Sequence, residues 1–158
     1  MSPSADAPPS SAPAPVDASV ASIFGSVLSE PSAPDVVSVY LFGSVAEGRA
    51  HRESDVDLAV LLAWTSHATA AERFDAGIRL AGAVQGKLGR TVDLVVLNDA
   101  PPLLGRHAVT RGRRILCRDA RVDHEYVRNV QLRAADLEPW LRRMRARKLE
   151  AIRGSVPG

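Results

Sequence analysis

The sequence predicts an α/β fold, a small mixed β-sheet backed by helices with further helices at the C-terminal end. Three observations predict it. Short Val- and Leu-rich runs recur at 35–42, 55–62 and 91–97 with glycine, proline or aspartate at their borders, as strands have. A long stretch of helical periodicity, Thr69 to Leu88, separates the second run from the third. The helical period then returns from about Asp123 to Arg153.

Each element has its own signal. From Asp17 to about Ser29, Val20, Ile23, Phe24 and Val27 fall at i, i+3, i+4 and i+7, with Asp17 as the expected N-cap. Pro31 and Pro34 end that helix. DVVSVYLF (35–42) is a strand stopped by Gly43. DVDLAVLL (55–62) is a second, and its unbroken apolar end predicts burial on both faces. Thr69 with Glu72 three residues on has the form of a capping box. Phe74, Ile78, Ala81, Val84 and Leu88 make the expected buried stripe, and Gly89 the C-cap. TVDLVVL (91–97) is the third strand. A short helix over 101–110 opens on a proline pair, and RILC (114–117) is a short strand. The last helical stretch is expected to break or kink at Pro139.

A chain of 158 residues suits one domain. With 46% apolar and 24% charged residues, wholesale disorder is excluded. No apolar run reaches the ~18–20 residues of a bilayer span, so a membrane protein is not expected. The start of the chain lacks the basic and apolar regions of a signal peptide. Cys117 is the only cysteine, which excludes a disulfide framework and a cysteine zinc site and fits the cytoplasm. Residues 1–17, rich in Pro, Ala and Ser, have little to bury and are expected to be a disordered tail. Charge is uneven: 6 basic and 12 acidic residues in 1–99, against 14 basic and 6 acidic in 100–158.

The chemistry concentrates in FGSVAEGRAHRESDVDLAVLL (42–62). Asp55 and Asp57 stand two apart at a strand start, so both point to one face. Unpaired, they would repel. Each needs a cation partner, or both bind a cation, and hard oxygen ligands suit Mg²⁺ beside substrate phosphates. Gly43-Ser44 ends the preceding strand, where a turn into a short helical segment (44–47) offers backbone N–H groups to phosphate. Asp93, between Val92 and Leu94, is costly in an apolar strand unless partnered. Beside the first pair it would complete a three-carboxylate, two-metal site.

Gly43-Ser44, ten residues, then Asp55-Val56-Asp57 resembles the G-S-x10-D-x-D signature of polymerase-beta-like nucleotidyltransferases, with Asp93 matching their third carboxylate. The run VDLVVLNDAPPLLGRHAVTRGRRILCRD (92–119), the short chain and the helical end with Tyr126, Asp136 and Pro139 are similar to the minimal nucleotidyltransferase (MNT) antitoxins. The resemblance spans about 18–153. It implies a nucleotidyltransferase fold, with 18–118 the nucleotidyltransferase core and 119–158 a helical segment that docks a partner. It also implies transfer of AMP from ATP, with Mg²⁺, onto a tyrosine of a cognate HEPN ribonuclease toxin. Carried over by position, Asp55 and Asp57 bind metals. Asp93 binds one metal and helps deprotonate the acceptor, while Gly43 and Ser44 hold the triphosphate. Two positions depart from the family pattern. Val45 and Glu47 stand where an arginine often follows the Gly-Ser pair, so Glu47 is expected to repel a triphosphate, with Arg49 and Arg52 to offset it. Ala134 stands where a tyrosine is often seen, which bears on docking.

Other features have plainer readings. His51 and His67 are expected to be solvated, Cys117 to be a small buried residue and Tyr126 to pack a helix. Trp64 either lines a nucleotide pocket or caps the sheet. WLRRMRARK (140–148) carries five positive charges beside Trp140 and Met144, a solvated face or a docking face for an acidic partner. Nucleic acid is not the expected partner, because residues 18–99 lack a basic groove and aromatics are not interleaved with the charges. Two rival functions keep the same residues in view: an antitoxin that acts by binding alone, and a nucleotidyltransferase for a small molecule such as an antibiotic.

Overall fold

The computed structural model describes residues 15–49 and 54–155. Of the expected disordered tail (1–17), residues 1–14 lie outside the described residues, as do His51 and Arg52, while residues 15–17 are not disordered but form the first turn of a helix. In chain order the elements are α1 (Pro15–Leu28), β1 (Val36–Phe42), α2 (Gly43–Ala46), β2 (Val56–Leu62), α3 (Ala70–Leu88), β3 (Val92–Val96), α4 (Pro102–Arg111), β4 (Arg113–Cys117) and α5 (Ala120–Gly154). The sheet order is β3-β2-β1-β4. β1 is antiparallel to both β2 and β4, while β2 and β3 are parallel and joined through α3. The mixed sheet backed by helices is therefore the fold expected from the sequence.

Strand alternation divides the core in two. Val56, Leu58, Val60 and Leu62 of β2 face α1 and α3, meeting Val20, Phe24, Leu80 and Val84. Ala59 and Leu61 face the other way with Tyr40, Phe42, Leu97 and Ala108, under α4 and the start of α5. The central strands are thus buried on both faces, as their unbroken apolar runs require.

Three elements differ from expectation. α1 begins at Pro15, and Asp17 is a buried residue of its first turn, ion-paired to Arg113 (2.6 Å) instead of capping the helix. α3 has the expected capping box at Thr69/Glu72 and left-handed Gly89 cap, and of the expected stripe Val84 is buried and Leu88 packs on the core, but the N-terminal half of the helix buries another face. Arg73, Ala76, Gly77, Leu80 and Val84 face inward, whereas Phe74 (65% exposed) and Ile78 (57%) face solvent beside Leu94 and Val96. The small residues Ala76 and Gly77 let α3 close on the sheet: a Cβ added at Gly77 would lie 2.8 Å from Val96. Bulky Phe74 and Ile78 would hold it off. α5 runs through Pro139 without a break. Its exposed turns around Pro139 leave the freed carbonyl to water.

A buried polar network fixes α5 to the sheet. Asp123, with no solvent exposure, accepts hydrogen bonds from Ser38 Oγ (2.6 Å), Tyr40 Oη (2.9 Å) and Arg114 Nη1 (2.7 Å). Burial first, then the Asp123 carboxylate, pushes the Tyr40 hydroxyl well above the usual tyrosine range. Among the described residues, no helix is long and apolar enough to cross a membrane.

Candidate active site

The strand register brings the predicted carboxylates together. Asp57 of β2 lies directly beside Asp93 of β3 in the parallel ladder. Asp55 is two residues before Asp57 and so shares its face. Across the antiparallel ladder, Asp57 pairs with Phe42, the last residue of β1, which leads into Gly43. All five predicted site residues therefore meet at one end of the sheet. Two hydrogen bonds hold the loop ends there. Arg90 Nη2 donates to the Ser54 carbonyl (2.7 Å), just before Asp55, and Val56 N–H donates to the Thr91 carbonyl (2.9 Å).

Gly43 has φ +73, and a Cβ built on it would lie 2.1 Å from Asp57 Oδ2. No other residue type fits there, because both the backbone conformation and the carboxylate exclude a side chain. α2 then starts with no side-chain cap, so its first N–H groups remain open to an acceptor. Arg113 joins α2 to the rest of the molecule by donating to the Ala46 carbonyl while ion-pairing Asp17 of α1.

Electrostatics mark the cluster as short of positive charge. Partial burial pushes the Asp57 carboxyl up, and the Asp93 and Asp55 carboxylates push it further. No cation offsets them: among the described residues, each ion pair engages other acids. Side chains do not converge tightly either, since no three His, Cys, Asp or Glu among the described residues are gathered around one point as metal ligands would be. The donor chemistry nevertheless fits a hard divalent cation: carboxylate oxygens only, on neighbouring strands, with unbalanced charge.

Other sequence-predicted residues lie elsewhere or act differently. Glu47 is ion-paired to Arg49, so its charge is met within the loop. Trp64 follows the opposite end of β2, with Arg73 stacked on its ring at 4.9 Å, and therefore cannot line a nucleotide pocket at the carboxylate end. It borders a groove of about 950 Å³ there, with Asn98, Arg118, Tyr126 and Arg133. His67 is structural: its Nε2 accepts from Asp35 N–H (3.0 Å). Cys117 is exposed, because β4 is an edge strand. Tyr126 packs as expected, donates to the Leu97 carbonyl (3.1 Å), and is pushed up to about 12 by burial. Sequence reasoning missed Arg113 and Arg90, which are two arginines among eighteen until their backbone partners are known.

A mixed sheet with aspartates on adjacent strands and a glycine turn pressed against one of them is the fold expected of a nucleotidyltransferase. Residues 26–121 match the family model "Polymerase beta, Nucleotidyltransferase", and the chain belongs to that family. It is 40% identical over 82 residues to the Protein adenylyltransferase MntA of Shewanella oneidensis. That match covers 52% of this chain and 55% of the relative, so the chain spans about half the length of the curated relative it matches. Among solved structures, it is similar to a chain from a crystal structure of a toxin-antitoxin with AMP-PNP. There the identity is 26% and the TM-score 0.57, over 84% of this chain and 97% of that one. The fold is also shared with a chain from the complex of tri-AMPylated Shewanella oneidensis HEPN toxin with MNT antitoxin. The identity is 22% and the TM-score 0.56, over 86% of this chain and 98% of that one.

Proposed function

We propose that this chain is a Mg²⁺-dependent protein adenylyltransferase of the cytoplasm, an antitoxin that transfers AMP from ATP to a tyrosine of a cognate HEPN ribonuclease toxin. The observation that carries this reading is the unneutralised Asp55/Asp57/Asp93 face, set against a glycine turn that a side chain would block. Supporting it, the similar MntA is named a protein adenylyltransferase, and a similar structure holds AMP-PNP.

The residues divide the work. Gly43 and Ser44 present N–H groups to the triphosphate. Asp55, Asp57 and Asp93 would hold Mg²⁺, which supplies charge neutralisation at the phosphates when bound. Asp93 also takes up the proton of the acceptor hydroxyl, whose ordinary pKa of ~10 makes such help necessary at neutral pH. The tyrosine oxygen forms a bond to the α-phosphorus as the bond to the bridging oxygen breaks. The products are a tyrosyl-AMP phosphodiester and pyrophosphate. Residues 119–158 dock the toxin and bring its hydroxyl into line, so positioning supplies much of the rate.

The test is the intact mass of the cognate HEPN toxin after incubation with this chain, ATP and Mg²⁺, beside an Asp55→Ala/Asp57→Ala control. Mass gained in AMP steps, and absent in the control, is the expected result. A stable complex with no added mass would replace this reading with an antitoxin that acts by binding alone. Transfer to a hydroxylated antibiotic, and none to the toxin, would make it a small-molecule enzyme.

A further inference from the structure

A triphosphate is strongly anionic, and the candidate site adds three carboxylates to it. The turn that would cradle the phosphates supplies little in return. Gly43, Ser44, Val45 and Ala46 carry no charge, Glu47 is acidic, and the Arg49 guanidinium is taken up by Glu47. Among the described residues, the positive charge that anchors the phosphates must come from another element.

The path of α4 identifies that element. β4 follows α4 after Gly112 alone, and its first residue, Arg113, pairs with Leu41 at the end of β1. The last turn of α4 is therefore at the carboxylate end of the sheet. Gly112 locks it there: a Cβ added to it would lie 2.8 Å from the Leu41 carbonyl oxygen and 3.0 Å from Phe42 Cβ. Phe42 is the cross-strand partner of Asp57. The His107 ring meets the Phe42 ring edge-on, with centroids 6.2 Å apart. Arg111 is four residues on, hence one turn further along the same side of the helix.

Both groups are available. His107 and Arg111 are exposed, and among the described residues neither forms an ion pair or a side-chain hydrogen bond. Their neighbours are committed elsewhere: Arg106 to Glu138, Arg113 to Asp17 and Arg114 to Asp123. A guanidinium and an imidazole N–H at one rim of the site are suited to phosphate oxygens, the guanidinium in bidentate fashion.

We propose that His107 and Arg111 bind the β- and γ-phosphates of the nucleotide, the end that departs as pyrophosphate. This rests on the nucleotidyl-transfer reading above and adds to it the residues that grip the leaving group. α4 then replaces the arginine that other family members often carry after the Gly-Ser pair.

The experiment is calorimetric titration of the full chain with Mg²⁺–AMP-PNP and, separately, with Mg²⁺–AMP. Wild type is compared with Arg111→Ala, His107→Ala, Arg111→Lys and, as a charge control at the far end of the sheet, Arg118→Ala. Arg111→Ala should weaken AMP-PNP binding about tenfold, the scale of one lost charge-assisted hydrogen bond. His107→Ala should weaken it less. AMP binding should hold in both, Arg111→Lys should recover part of the loss, and Arg118→Ala should change nothing. Unchanged AMP-PNP affinity in both alanine variants would overturn the proposal. So would an equal loss for AMP, which would mean a general disturbance of the site. A wild-type chain that binds no AMP-PNP would overturn the nucleotidyl-transfer reading itself, and this proposal with it.

Discussion

At the scale of single residues, the site is defined by repulsion. Burial and two neighbouring carboxylates raise the Asp57 pKa above its ordinary 3.8. The folded state therefore holds this proton more tightly than the unfolded chain does, and Asp57 favours folding at low pH. That contribution fades as pH rises from the unfolded value through the raised folded one. Above that window Asp57 is a charged liability, unless a divalent cation neutralises it. In chelator at pH 7, Asp57→Asn should therefore melt at a higher temperature than wild type, and the gap should close below about pH 4. Mg²⁺ should raise the wild-type Tm at pH 7 more than that of the variant. Differential scanning fluorimetry across pH checks this, and a variant no more stable than wild type without metal would refute it. Asp55, Asp57 and Asp93 were legible in the sequence because carboxylates in apolar strands need a reason and strand alternation gives them a common face. His67, Cys117 and Trp64 were not legible in this way. Their roles depend on Asp35, on an edge position and on Arg73, none of which is near in sequence or marked by spacing.

At the scale of elements, α3 shows what periodicity leaves open. The caps at Thr69 and Gly89 were readable because they are local hydrogen-bond chemistry. The inward face was readable only at Val84 and Leu88, because apolar size alone does not set the phase of a helix. Ala76 and Gly77 permit close approach, and Arg73 is buried because Asp99 and the His67 and Ala68 carbonyls satisfy its guanidinium. The join between α5 and the sheet is likewise a tertiary matter. In the sequence Asp123 marks only the approximate start of a helical stretch, yet it gathers Ser38, Tyr40 and Arg114 in the interior. Asp123→Ala would leave two hydroxyls and a guanidinium without their acceptor. The expected cost is roughly 3 kcal/mol, as for other buried pairs broken on one side. In a chain of this size that is a fall of about 10 °C in Tm. Thermal unfolding followed by circular dichroism measures it, and a loss within the range of an ordinary surface substitution would mean that the network contributes little.

At the scale of the whole molecule, the proposed function places the reaction and the docking of the toxin at different parts of the chain. The acidic excess lies in residues 1–99, which carry the three carboxylates, and the basic excess follows in residues 100–158, which form α4, β4 and α5. Beyond Ala134, the last buried residue of α5, the helix continues for about 20 residues, or ~30 Å, without a buried side chain. Trp140 (52% exposed), Met144 (46%) and Ile152 (52%) lie along one side of it. An amphipathic helix that no other element covers among the described residues gains stability by burying its apolar stripe on a partner. From Leu137 to Gly154 it carries six basic and two acidic side chains, so a second copy of this stretch would be repelled and an acidic surface attracted. Trp140→Glu combined with Met144→Glu keeps good helix formers and reverses the character of the stripe. On the proposed function, this double variant should bind the cognate HEPN toxin at least about tenfold more weakly, since a buried Trp anchor is worth ~2 kcal/mol or more. The KM for toxin in AMP transfer should rise by a similar factor, while kcat at saturating toxin and affinity for AMP-PNP remain at wild-type values. Toxin affinity that survives the double substitution would move the docking surface off α5. The exposed Phe74–Ile78 face of α3, beside the edge strand that carries Asp93, would then become the surface to test.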